Sequence, residues 1–196
     1  MNIFHITRKI QAFKLVYSIQ DNQEVSGSGR CTMGLLFQYL RVTNNNDSFV
    51  LRQKNLLLQL LSIIPVLSLF VRVPYHYRKS EQNGTLAYAG KNSGYVLQVG
   101  KDQYVIRPHN HNIYSICKNN IQIAKVEKKL ESWFEENQYT IFVADNVVQD
   151  LPLLLILCMF IDVTYYKNYR QWSAHKKETN VVWNDPYPEL AEWTPD

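Results

Sequence analysis

Apolar and polar residues alternate with a period of two along most of this chain, and Asn, Gly and Asp interrupt the alternation at short intervals. That pattern predicts short half-buried strands joined by turns. Residues 69–78 show it most clearly: Leu69, Val71, Val73, Tyr75 and Tyr77 fall on one face, and Arg72, Pro74, His76 and Arg78 on the other. Pro74 cannot donate to a ladder and marks an edge or a bulge. Asn83-Gly84, a pair that tolerates positive φ, is expected to form the tight turn that follows. A returning strand over 85–89 and strands over 94–99 and 104–107 about a Gly100–Asp102 turn extend the meander. A hairpin of 112–117 and 121–126 about Lys118-Asn119-Asn120 and a strand over 139–144 complete it. Near the N-terminus 3–7 and 12–19 read as strands with a turn at 21–23, and the total approaches a dozen.

Two stretches depart from the alternation. Asn55 to Ile64 is rich in Leu and predicts a short helix stopped by Pro65. Leu151 to Ile161 is apolar almost throughout, with Asp150 placed to cap its start, Pro152 in its first turn and Asp162 closing it. Eleven helical residues rise about 16 Å, roughly half the ~30 Å hydrocarbon core of a bilayer. Such a helix is too short to span lipid, and being apolar on every face it must be buried inside protein. The expected fold is therefore all-β with minor α: a closed antiparallel barrel of about twelve strands around a central hydrophobic C-terminal helix. Closure also removes the exposed sheet edges. Residues 1–169 are expected to form this domain, with the helical insertion near 55–65, and 170–196 a tail.

The run Tyr114-Ser-Ile-Cys-Lys-Asn-Asn-Ile-Gln-Ile-Ala-Lys-Val-Glu-Lys-Lys, then Tyr139-Thr-Ile-Phe-Val, then the helix of 151–161 ending in Asp162, resembles the C-terminal half of the tubby-like superfamily. That group includes the tubby C-terminal domain, LURP-one-related proteins and phospholipid scramblases. The likeness covers roughly residues 66–169 and implies a twelve-stranded barrel around a central helix. The insertion at 55–65 and the tail lie outside it, and the chain has no cysteine-rich run of the scramblase type.

Composition narrows the classes. A chain of 196 residues with 46% hydrophobic and 13% aromatic content has the material for a core and is not a disordered segment. Three cysteines, an odd number in a chain too large to need disulfide staples, together with no apolar run near the N-terminus, point to the cytoplasm. The net charge of +4 is uneven: residues 51–130 hold twelve Lys or Arg against three acids, and 131–169 one against six. A basic middle of this kind suits an anionic partner, unless the acidic segments neutralise it in the fold.

Catalytic signatures are weak. Gly27-Ser28-Gly29 lacks a third glycine and reads as a turn or bulge. His109-Asn110-His111 has no third ligand at a metal spacing and reads as a solvated loop, and Asp145 and Asp150 read as helix-terminal carboxylates. Cys158 reads as a buried small hydrophobe. No enzyme activity, cofactor or metal is expected.

Surfaces remain. Arg72, Arg78 and Lys79 beside one strand and Lys125, Lys128 and Lys129 along another form the expected anion- and lipid-binding set, provided that their strands lie side by side. Leu56 to Phe70, flanked by Arg52, Lys54 and Arg72, either presses on a membrane or covers a barrel end. The tail carries Trp172, Trp183 and Trp193 among prolines and is expected to dock on its own barrel or anchor a partner. The leading expectation is a non-enzymatic cytosolic module, peripheral at the inner face of the membrane, that binds anionic phospholipid headgroups. The alternative is a protein-interaction module using the barrel mouth or the tail. No recognition motif supports nucleic acid as a partner.

Overall fold

The computed structural model describes residues 2–11, 14–21, 24–33, 38–44, 47–53, 73–80, 82–90, 94–110, 112–129, 137–173 and 187–194. Twelve strands run in chain order: β1 (Asn2–Gln11), β2 (Lys14–Asp21), β3 (Glu24–Met33), β4 (Gln38–Asn44), β5 (Asp47–Gln53) and β6 (Tyr75–Lys79), then β7 (Gln82–Gly90), β8 (Gly94–Val99), β9 (Asp102–Pro108), β10 (Ile113–Lys118), β11 (Ile121–Lys129) and β12 (Asn137–Val143). Each pairs antiparallel with its neighbours in sequence, and β1 pairs with β12, so the sheet closes into a barrel without an edge. The all-β expectation holds.

Period two sorts the residues. Phe4 and Ile6 on β1, Tyr17 and Ile19 on β2, and Tyr75 and Tyr77 on β6 turn into the barrel and are buried, while the residues between them face outward. After β12 the chain makes a 3-10 turn, Asp145–Asp150, and enters the lumen as helix α1 (Leu151–Ser173). Every residue from Leu153 to Val163 is buried, so this stretch of the helix is sheathed on all its faces. It sits nearest β3, β4 and β5. Gly29 on β3 makes this approach feasible, because a Cβ there would stand 2.5 Å from Met159 Sδ. Across the lumen, Phe160 meets the rings of Tyr75 and Tyr95 edge-on at 5.0 and 4.8 Å.

Several local expectations change. The helix does not close at Asp162 but runs on to Ser173, because Asp162 is charge-paired inside the barrel rather than capping an end. The boundary at 169/170 therefore falls within α1. Asn83-Gly84 is not a turn: Lys79 already pairs with Gln82, Ser80 takes the positive φ, 45°, and Gly84 lies in β7 opposite Tyr77. A Cβ on Gly84 would come within 2.5 Å of the Gln98 carbonyl oxygen, so close packing is what glycine supplies here. Pro74 precedes β6, and a closed barrel has no edge for it to mark. Gly27-Ser28-Gly29 lies within β3, next to a register shift opposite Ile19 and Gln20. The Lys118-Asn119-Asn120 hairpin forms as expected, with Asn119 and Asn120 both at positive φ, 50° and 70°. The expected helix at 55–65 lies outside the described residues.

The β7–β8 connection supplies a test of packing. Gly94 has φ +61°, and a Cβ there would run into the Ile106 carbonyl oxygen, whereas Gly100, at φ +58°, faces open space. Gly94→Ala is expected to lower stability in urea denaturation by roughly 1–3 kcal/mol through strain and overpacking together. Gly100→Ala carries strain alone and is expected to cost less; equal losses would contradict this geometry.

Candidate functional site

The odd-numbered strands, β1 and β11 among them, run from the mouth where α1 enters toward the mouth where it leaves, and the even-numbered strands return. Near the exit, alternation on β1 that buries Phe4 and Ile6 also turns Arg8 inward. It meets Asp162 on α1. Arg8 Nη1 donates to both carboxylate oxygens at 2.9 and 3.1 Å, Tyr17 donates its hydroxyl to Oδ2 at 2.7 Å, and Tyr139 donates to Oδ1. Burial alone would lower the Arg8 pKa, but Asp162 beside it raises it overall. Burial, and then the same carboxylate, lifts Tyr17 and Tyr139 well above the ordinary phenol value, so both hydroxyls stay protonated donors. The cluster is saturated: its carboxylate is fully engaged in holding the helix in register with β1, β2 and β12.

Lys128 on β11 reaches into the same end of the lumen, its Nζ 5.8 Å from the centre of the Tyr139 ring. Burial pushes its pKa down to about 8, with Asp162 opposing and Arg8 adding to the depression. At the entry mouth Lys118 Nζ donates to Asp150 at 2.8 Å and lies 3.3 Å from Asp102. Asp150 thus ties the start of α1 to β9 and β10, and Asp145 accepts from Asn2 at 2.8 Å.

The expected anion-binding set is not one surface. Four strands separate β6 from β11 around the barrel in one direction and six in the other. Arg78 is exposed on the outer face of β6, but Lys79 alternates inward, its Nζ 4.8 Å from the centre of the Phe49 ring. Lys125 lies along the outer wall, 5.0 Å from the Phe142 ring centre and 3.0 Å from Glu127. Lys128 points into the lumen, Lys129 is exposed at the exit end of β11, and Arg72 lies outside the described residues. Strand alternation separates Arg78 from Lys79, and barrel order separates both from β11.

A different grouping forms around Arg78. Arg52 on β5 pairs across the ladder with His76 on β6, and Arg78 stands two residues further along the same outer face, about 7 Å away by strand rise. With Asn83, the backbone of Gly84 and Tyr77 they line a depression of about 350 Å³ on the β5–β7 wall. Arg52 and Arg78 are exposed and His76 is half-buried. No carboxylate lines this depression among the described residues. Two guanidiniums, an imidazole and an amide facing one concavity are donors of the kind that suit anionic oxygens.

The histidine and the tail lie on another wall. His109 is buried rather than solvated, its Nε2 2.7 Å from Ser115 Oγ, while His111 falls outside the described residues. Ser115 Oγ donates to the Leu190 carbonyl at 3.0 Å, so residues 187–194 of the tail dock on the barrel; Trp183 and the Trp172 side chain lie outside the described residues. All three cysteines are free and buried, and burial pushes the Cys31 thiol up to about 12.

The Arg8–Asp162 pair carries a direct prediction. Asp162→Asn leaves a buried guanidinium without its counter-charge and is expected to cost about 3–5 kcal/mol in chemical denaturation. The double variant Arg8→Met, Asp162→Leu is expected to be more stable than either single replacement; a double variant no better than Asp162→Asn would contradict the pairing. Lys128 gives the pH dependence. Between pH 8 and 10.5 an unfolded lysine stays protonated while folded Lys128 does not, so the unfolded chain binds more protons and this group favours folding increasingly as pH rises. The stability of the wild type relative to Lys128→Met is expected to climb across that window and to be flat below it; a difference independent of pH would contradict the buried amine.

No protein-family model, curated protein or solved structure matches the chain.

Proposed function

We propose that this chain is a tubby-like, non-enzymatic binding module that meets anionic phospholipid headgroups through the outer face of β5–β7. The observation that carries the reading is the convergence of Arg52, His76 and Arg78 on one depression, which replaces the two-strand set expected from sequence. A twelve-stranded barrel closed around an apolar helix supports the tubby-like kinship.

The covalent neighbourhood of the depression strengthens the lipid reading. Residues 54–72, the Leu-rich stretch between Arg52 and Arg72, connect β5 to β6, the two strands that supply the cations. Apolar residues and basic residues side by side are what peripheral attachment uses, the first entering the headgroup boundary and the second attracting anionic lipid. No helix among the described residues is long and apolar enough to cross a membrane, and attachment of this kind needs none. The proposed location is the cytoplasmic leaflet, which carries the anionic lipid.

Sedimentation with phosphatidylcholine vesicles, with and without phosphatidylserine, tests the reading. Each surface cation contributes about 1 kcal/mol near an anionic membrane, so Arg52→Ala, Arg78→Ala is expected to lose roughly thirtyfold in partitioning, and salt to weaken the wild type. Wild-type binding that ignores phosphatidylserine, or a double variant that binds as well as wild type, would overturn it.

A further inference from the structure

Outward-facing residues of a barrel ordinarily meet water, but on β9–β11 several do not. Ser115 and Cys117 on β10 have no exposure, and Val105 on β9 and Gln122 on β11 are almost as deeply covered. Cys117 pairs across the ladders with Val105 on one side and Gln122 on the other, so these residues form one continuous patch. The segment of residues 187–194, with the single helical turn α2 (Pro188–Ala191), packs against β10.

Its attachment is specific. The Leu190 carbonyl accepts from Ser115 Oγ at 3.0 Å and from Gln122 Nε2 at 2.9 Å, and Gln122 Nε2 also lies 2.9 Å from Ser115 Oγ. His109 Nε2, 2.7 Å from Ser115 Oγ, fixes that hydroxyl from the other side. Three residues earlier the Tyr187 ring stacks under the Arg107 guanidinium, 4.2 Å from its centre. The Leu190 amide donates to the Tyr187 carbonyl at 3.1 Å and closes the turn. The wall therefore reads two features at a fixed separation: an aromatic ring, and a backbone carbonyl three residues on. Against this, α2 is one turn long, has no side-chain cap and buries none of its own residues, which is too little for a helix to be stable by itself.

We propose that the outer wall of β9–β11 is a docking surface for a Tyr-Pro-Glu-Leu turn, and that the chain's own Tyr187–Leu190 occupies it as a reversible clasp. The same turn offered by a partner protein competes for the wall. Thirteen residues, 174–186, join the clasp to α1, and such a tether gives the tail a high local concentration that a partner has to overcome. One strand, β8, separates this wall from the β5–β7 depression, the two surfaces share no residue, and the proposal does not rest on lipid binding.

The test uses the full-length chain and a fluorescent peptide of residues 184–196. Tyr187→Ala weakens the clasp without touching the wall, and is expected to raise the affinity for the peptide at least tenfold over wild type. In the same variant Cys117 is expected to react with a maleimide at least tenfold faster, and excess peptide to slow it again. Cys31 and Cys158, inside the barrel, serve as internal references read by mass spectrometry. Adding Gln122→Leu to the Tyr187→Ala chain removes one donor to the carbonyl and is expected to abolish most peptide binding. Arg107→Ala, on the other side of the ring contact, is the second route to a loosened clasp and is expected to speed Cys117 labelling likewise. Cys117 labelling unchanged in both clasp variants, or no peptide binding to the Tyr187→Ala chain, would overturn the proposal.

Discussion

A helix with no polar face has to be enclosed, and the arrangement of this protein follows from that requirement. Residues 153–163 present apolar side chains in every direction except at Asp162, so a sheet has to surround them completely, and twelve strands do so. The exception fixes the geometry. A lone carboxylate in a lumen would be prohibitive to bury, but Arg8 meets it with two hydrogen bonds while Tyr17 and Tyr139 complete its shell. Apolar enclosure sets where the helix lies; the ion pair sets how far along the barrel axis it sits.

Enclosure also decides where function can be found. The lumen is filled by side chains of α1 and the entry mouth is tied by Lys118 to Asp150, so both surfaces proposed above lie on the outer wall. Around that wall the chain differentiates its strands. β5–β7 expose cations beside a concavity, whereas β9–β11 carry polar hooks beneath the tail. The basic middle of the sequence is thus distributed, with Lys79 and Lys128 turned inward by the same alternation that turns Arg78 out.

Much of the fold was legible because period two and an over-short apolar run are both strong local signals. Strands β6 to β12 can be traced from alternation and turn residues, and the burial of the helix from its length alone. What escaped was non-local. Nothing near residue 162 in the chain announces Arg8, although alternation through Phe4 and Ile6 placed a charge at an inward position of β1 and was the one available sign. Arg52 and His76 become neighbours through a ladder between strands more than twenty residues apart, and the distance of Lys125 from Arg78 follows from strand order around a closed sheet, which is not written locally. Asn83-Gly84 misled for a related reason: the pair suits a turn, but tertiary contact with Gln98 is what requires its glycine.

Native-state amide hydrogen exchange reads the enclosure most directly. If α1 can leave the lumen only when the barrel opens, amides of residues 154–163 exchange solely through global unfolding, with the same free energy and denaturant dependence as those of β1 and β12. Helix amides that exchange through a smaller opening while those strands stay protected would contradict a sheathed helix.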